Sequence, residues 1–234
     1  MSKECSDNCI KVAVPLAIGA AVIPIPIADA LAISSIQVGM IVAISKCYGR
    51  FLDQNTIKGL MGAFAGSTVG LWAWSLIKTI PGLGTTAGII GQMILAGTIT
   101  AAIGYAFQYV YENQLELNHK NLKDGFNKNK RRAKEEAQQY QNVAKKTKDA
   151  KEIVNFRLNP ENVSTIIDFS FNISNYGNAT LTIVDNSNNV IKTVEITSSQ
   201  TDLTLDLSDV PAGSYLAKLT INGLLPYFHP IKKI

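Results

Sequence analysis

The sequence predicts an α + β chain of two domains. Glycine-rich, apolar, membrane-associated helical hairpins come first, and a seven-stranded immunoglobulin-like β-sandwich follows. Three observations predict it. Residues 12–45 carry one formal charge, Asp29, and residues 59–77 and 79–111 carry none. Residues 119–157 hold twelve Lys or Arg against five Asp or Glu, a net +7, whereas 1–118 sum to zero and 158–234 to −3. From about residue 153 the apolar residues stop running together and alternate with polar ones. The divisions are therefore an apolar helical module at 1–118, a basic helical linker at 119–152 and the sandwich at 153–234. A hydrophobic fraction of 47% excludes a wholly disordered chain. Three Cys in 234 residues exclude a small disulfide scaffold.

The helices follow in order. A spanning helix needs about 20 mostly apolar residues, which each of the charge-free stretches supplies. Pro24 and Pro26 break the first stretch, because proline removes a backbone donor and clashes with the preceding turn. Asp29 then caps a helix that runs to about Tyr48, with Gly49 as its stop. Asp53 or Asn55 caps the next, to about Thr79. Pro81-Gly82-Leu83-Gly84 makes a turn, and a last helix runs from about Thr85 past Tyr111. Four apolar helices thus form two hairpins. Gly62, Gly66 and Gly70 recur every four residues and predict a helix-packing face of the kind that lets backbones approach in a bilayer. In a water-exposed helix each would cost about 1 kcal/mol relative to alanine. Trp72, Trp74, Tyr105, Tyr109 and Tyr111 sit near helix ends, where interfacial aromatics collect. A water-soluble bundle with a small-residue core is the competing account. A cleaved leader, with Val12–Ile27 as its apolar core and Ala28-Asp29-Ala30 as its cleavage site, is opposed by the two nearby prolines and the apolar helices that follow.

The basic segment has helix-forming composition after Gly125 but only a thin apolar stripe, Ala133, Ala137, Tyr140 and Ala144. It reads as a solvated helical linker. Its cluster Lys128, Lys130, Arg131 and Arg132 is the candidate contact for anionic lipid headgroups. The final segment alternates at Val163–Ile173, Thr180–Val184, Val190–Ile196, Leu203–Leu207 and Tyr215–Ile221, the pattern of half-buried strands. Turn residues separate them, as at Asn175-Tyr-Gly-Asn and Asn222-Gly223. With a first strand near Ile153–Leu158 and a last near Tyr227–Lys233 the count is about seven, which fits an immunoglobulin-like sandwich.

Two resemblances add to this. Ile23-Pro-Ile-Pro-Ile-Ala-Asp-Ala-Leu-Ala-Ile-Ser-Ser-Ile-Gln-Val-Gly-Met-Ile, Ile44-Ser-Lys-Cys-Tyr-Gly and Pro81-Gly-Leu-Gly resemble a bacterial domain of unknown function found beside, or fused to, Era-like small GTPases. The resemblance implies a membrane-linked helical module and a GTPase partner. The chain itself has no G-x-x-x-x-G-K-[ST] loop to wrap phosphates. Asn159-Pro160, Ile167-Asp-Phe-Ser-Phe, Ala179-Thr-Leu-Thr-Ile-Val-Asp and Leu205-Asp-Leu-Ser-Asp-Val-Pro-Ala-Gly-Ser-Tyr are similar to the type A C-terminal sorting domain of Bacteroidota type IX secretion cargo. Leu205, Asp206, Leu207, Pro211, Gly213 and Tyr215 carry that likeness. It implies a β-sandwich read by an outer-membrane translocon. The charge pattern points elsewhere. Lys3, Lys11 and the basic segment place both the N-terminus and the sandwich in the cytoplasm of a bacterial membrane protein. Export to the cell surface is the alternative.

No catalytic constellation emerges. His119 and His229 are far apart in sequence. Cys5, Cys9 and Cys47 lack a fourth ligand and read as free thiols rather than a metal set. Asp168, Asp185, Asp202, Asp206 and Asp209 fall at strand ends or solvent faces. The expectation is a non-enzymatic, membrane-associated anchoring or assembly protein without cofactor or metal. It would touch membrane lipid, contact a protein partner through its β-sandwich, form a homo-oligomer and bind no nucleic acid. Type IX secretion cargo and an accessory subunit of a separate small GTPase are the alternatives.

Overall fold

A computed structural model describes residues 2–21, 26–64, 88–160, 162–185 and 189–234. Gly66, Gly70, Trp72 and Trp74 lie outside them, as does the expected Pro81–Gly84 turn. Among the described residues there are six helices. They are α1 (Ser2–Ala20), α2 (Pro26–Cys47), α3 (Gln54–Phe64), α4 (Gly88–Glu112), α5 (His119–Gln138) and α6 (Gln141–Val154). Proline opens α2 at the first helical position, where its missing N–H has no partner to lose. Asp29 therefore falls within the first turn of α2 and does not precede the helix as its cap. Gly49, at φ +67°, closes that helix as expected. Asp53 caps α3 by accepting the Thr56 N–H at 2.9 Å.

Helix α4 is the axis of the helical module. Its 25 residues extend about 37 Å at 1.5 Å per residue. Among the described residues it is the one helix long and apolar enough to cross a membrane, yet most of it is buried inside the protein. An apolar stripe would cover one face of such a helix, but here Met93, Ala101, Tyr105, Phe107 and Val110 are all buried and partners pack around it. Glycines permit the close approaches. A Cβ on Gly104 would meet Ile10 Cγ1 of α1 at 2.6 Å, and one on Gly125 of α5 would meet the Ala106 carbonyl oxygen of α4 at 3.0 Å. At Gly62 no described atom lies within 4 Å of such a Cβ.

The basic segment is helical, as its composition predicts, but it is not a solvated spacer. Helix α5 makes the most extensive contact of any helix with α4. Leu122, Phe126, Ala133 and Ala137 are buried in the helical core. These positions follow a period near 3.6, so a single stripe faces α4 while the lysines face outward. A polar girdle then ties three helices together. Arg132 of α5 donates to Asp7 of α1 at 2.9 Å and to Gln108 of α4 at 3.2 Å. Gln108 in turn donates to Ser6 and to Asp7, both at 2.7 Å.

The C-terminal region is built of strands in two sheets. The strands are β1 (Arg157–Asn159), β2 (Asn162–Val163), β3 (Ile166–Ser170), β4 (Ala179–Asp185), β5 (Val190–Ile196), β6 (Asp202–Asp206), β7 (Gly213–Ile221) and β8 (Tyr227–Lys233). One sheet has the order β1-β3-β6 and the other β2-β8-β7-β4-β5. All neighbours are antiparallel except the short β2–β8 pair. Eight described strands and a parallel pair differ from the seven-strand expectation, and an immunoglobulin-like kinship stays an expectation. Ile167 and Phe169 of one sheet share a core with Leu181, Ile183, Leu219 and Ile231 of the other.

The five-stranded sheet is buried on its second face as well. Val184, Leu216 and Phe228 belong to the helical core. Alternation therefore fails at Ile183-Val184 and at Tyr215-Leu216-Ala217, where consecutive residues are all buried. Helix α6 joins the two halves. Its Ala144 lies in the helical core, and its Ala150 and Val154 lie in the sheet core. Between them Thr147 Oγ1 accepts the buried Leu225 N–H at 2.8 Å, and the Thr147 carbonyl accepts the Tyr227 hydroxyl at 2.9 Å.

Two stability predictions follow from these contacts. Gly125→Ala forces backbone against backbone and should lower stability by about 1–3 kcal/mol, whereas Gly62→Ala should be neutral or raise it by up to about 1 kcal/mol. Urea denaturation of the full chain separates the two. Thr147→Val leaves the Leu225 N–H without its acceptor and should destabilise by about 1–3 kcal/mol. Thr147→Ser retains the oxygen and should cost less in the same measurement.

Candidate functional site

The six residues similar to the sorting motif form the corner where the chain leaves the three-stranded sheet and enters the five-stranded one. Leu205 pairs with Ile167 in the sheet, and Leu207 is fully buried just beyond β6. The Leu207 N–H reaches the Thr165 carbonyl at 2.6 Å, and the Val210 N–H closes a turn on the Leu207 carbonyl at 3.0 Å. The Asp206 carboxylate accepts the Ser208 N–H at 2.8 Å. That backbone hydrogen bond holds the Asp206 carboxyl below its ordinary range. Lys192 of β5 donates to the Asp206 carbonyl at 2.6 Å and pairs with Asp209 at 2.8 Å. Tyr215 sits at the start of β7, and its hydroxyl returns to the Pro211 carbonyl at 2.8 Å. A tyrosine that bonds back to the backbone a few residues upstream is the fastening used at corners of β-sandwiches. The motif is thus a set of folding instructions for one sheet-crossing turn, and Gly213 opens the strand that follows it.

The four basic candidates do not form one free cluster. Arg132 belongs to the polar girdle, and its guanidinium lies 3.9 Å from the centroid of the Tyr105 ring. Burial pushes the Tyr105 phenol far above its ordinary value. Lys128 donates to the Tyr109 hydroxyl at 2.6 Å and lies over its ring at 4.6 Å. Lys130 is half-buried. Arg131 remains 92% exposed and meets Glu135 one turn on. Of the packing glycines, Gly62 is exposed near the end of α3, and Gly66 and Gly70 lie outside the described residues. Among the described residues Gly97, Gly104 and Gly125 sit at close helix contacts.

The cysteines depart most from expectation. Cys5 and Cys9 lie one turn apart on α1, and the α1–α2 hairpin returns Cys47 to the same end. Cys5 and Cys47 form a disulfide, and Cys9 is the free thiol. Cys9 Sγ lies 3.9 Å from Cys47 Sγ. Three free thiols were expected because no fourth ligand is near them in sequence; the α1–α2 hairpin instead closes the 42-residue separation and pairs Cys5 with Cys47. Two signals could have found the cluster, namely the four-residue spacing and the position of Cys47 at the far end of the paired helix. No group of three or more carboxylates or histidines gathers among the described residues. Asp168 is occupied by the Thr204 hydroxyl at 2.6 Å, and Asp185 by the Asn189 side chain at 2.8 Å.

Comparison with known proteins matches two separate stretches of the chain. Residues 159–225 match the secretion system C-terminal sorting domain, a span that contains the Leu205–Tyr215 corner. A magnetosome membrane protein, "Magnetosome membrane protein 22" of Magnetospirillum gryphiswaldense, is 34% identical over 113 residues, which is 46% of this chain. The match spans 58% of that relative's length. No solved structure matches. Residues 5–142 match the domain of unknown function DUF697, a span that runs through α5 and so includes the basic helix as part of the fold. By that match over more than half its length, the chain belongs to the DUF697 family.

Proposed function

We propose that this chain is a non-enzymatic, membrane-associated envelope protein whose C-terminal domain directs its export by a type IX-like route. The observation that carries the proposal is the Leu205–Tyr215 corner, built in full within the segment that matches a secretion sorting domain. The Cys5–Cys47 disulfide agrees with it, because such bonds persist in oxidising compartments outside the cytoplasm. Membrane association is supported by the magnetosome membrane relative. The argument for a cytoplasmic sandwich weakens once the basic residues are seen in place. The positive-inside rule counts charges in loops beside a spanning helix, whereas Arg132 and Lys128 are engaged on α4 itself.

Protease accessibility of the full chain in intact cells of a type IX-competent bacterium tests this. The protein is expected at the surface, and in cells without the translocon it should be retained in the periplasm. Protection inside the cytoplasm in both strains would sink the export reading.

A second reading, assembly through strand addition, is favoured by β5. It is the last strand of its sheet, and it leaves Val190 64% exposed. An extended segment of a protein partner, or of a second copy, could pair with that edge. Light scattering of the purified chain reports on it. A dimer that Val190→Lys dissolves supports edge pairing, and a monomer at all concentrations removes the homo-oligomer.

A further inference from the structure

The sulfur atoms of Cys5, Cys9 and Cys47 all lie within 4.8 Å of one another. Two come from one face of α1 and the third from the last residue of α2. A thiolate–metal bond of about 2.3 Å places coordinating sulfurs about 3.8–4.0 Å apart. The 3.9 Å between Cys9 and Cys47 already has that spacing. The Cα atoms of Cys5 and Cys47 are 5.8 Å apart, which leaves room for their sulfurs to reach the same separation once the bond is reduced. We propose that in the reduced protein these three cysteines bind one thiophilic metal ion, Cu(I) by preference, and that the disulfide is the alternative, metal-free state of the same site.

Several features favour this ligand. Soft thiolates select Cu(I) and Zn(II) over harder cations. Zn(II) in a structural site takes four protein ligands, and no fourth Cys or His joins this group among the described residues. Three sulfurs suit a three-coordinate Cu(I). An open, largely apolar groove of about 540 Å³ between α1 and α2, lined by Val12, Leu16, Ile36 and Met40, adjoins Cys5 and Cys9. Cys5 is exposed and gives an approach from solvent.

The conversion needs one two-electron reductant. A dithiol or phosphine reductant supplies two electrons, with two protons from it or from solvent, and the Cys5–Cys47 bond becomes two thiols. Metal binding then displaces the protons of the three thiols. The proposal goes beyond the export reading and does not rest on it.

The test uses the full chain, reduced with a phosphine and desalted under anaerobic conditions. Cu(I) is titrated in competition with a coloured Cu(I) chelator. One equivalent per chain should be withheld from the chelator, and the disulfide form should withhold none. Cys9→Ser leaves the Cys5–Cys47 pair intact and should weaken binding by about 100-fold or more, beyond the loss typical of a supporting residue. Its thermal melt in the oxidised form should match that of the unaltered chain, which separates lost ligation from lost folding. Cys9→Ala repeats the comparison without a hydroxyl. Equal binding by reduced and oxidised chain, or by the Cys9 variants, would overturn the proposal.

Discussion

The structure depends on covering α4. A helix of 25 residues without a charge between Gly88 and Tyr111 is buried over most of its length, and other helices of the chain supply the cover. Wrapping requires close approach. Gly104 admits α1, and Gly125 on α5 lets that helix lie against the α4 backbone. The polar residues of the girdle then fix the register. Ser6, Asp7, Gln108 and Arg132 satisfy one another across three helices. Burying any one of them alone would leave a polar group without water or partner, which costs more than a typical hydrogen bond contributes.

Much of this was legible, for identifiable reasons. The change of period near residue 153, the Asp53 cap and the Gly49 stop are local signals, and local signals survive into the fold. The Leu205–Tyr215 corner was legible as a motif because turn chemistry fixes residue type position by position. The packing of α5 was hidden by composition. Leu122 and Phe126 stand among lysines and asparagines, and the alanine stripe after them is thin. Their common face becomes visible only when 122, 126, 133 and 137 are placed on one helix. The second buried face of the five-stranded sheet was present in the sequence as broken alternation at Val184 and Leu216, but its cause is a helical module far away along the chain. The cysteine cluster depends on the hairpin and could not follow from spacing alone.

The two halves are electrostatically different but mechanically joined. The excess positive charge of 119–157 faces outward around a stripe that is apolar, so net charge and packing describe opposite sides of the same helix. Val154 closes the end of the sheet core while Ala144 of the same helix remains in the helical core. Thr147 sits where the two cores meet and serves both the Leu225 amide and the Tyr227 hydroxyl.

That shared helix limits how the C-terminal domain can be reused. A sorting element that behaves as an independent tag should carry a polar exterior on every side. Here Val184, Leu216 and Phe228 make one face of the sheet apolar, and the chain's own helices cover it. Grafted to an unrelated passenger, the same strands would present that face bare. The portability of this domain is therefore set by its cargo: it is matched to the helical module it accompanies.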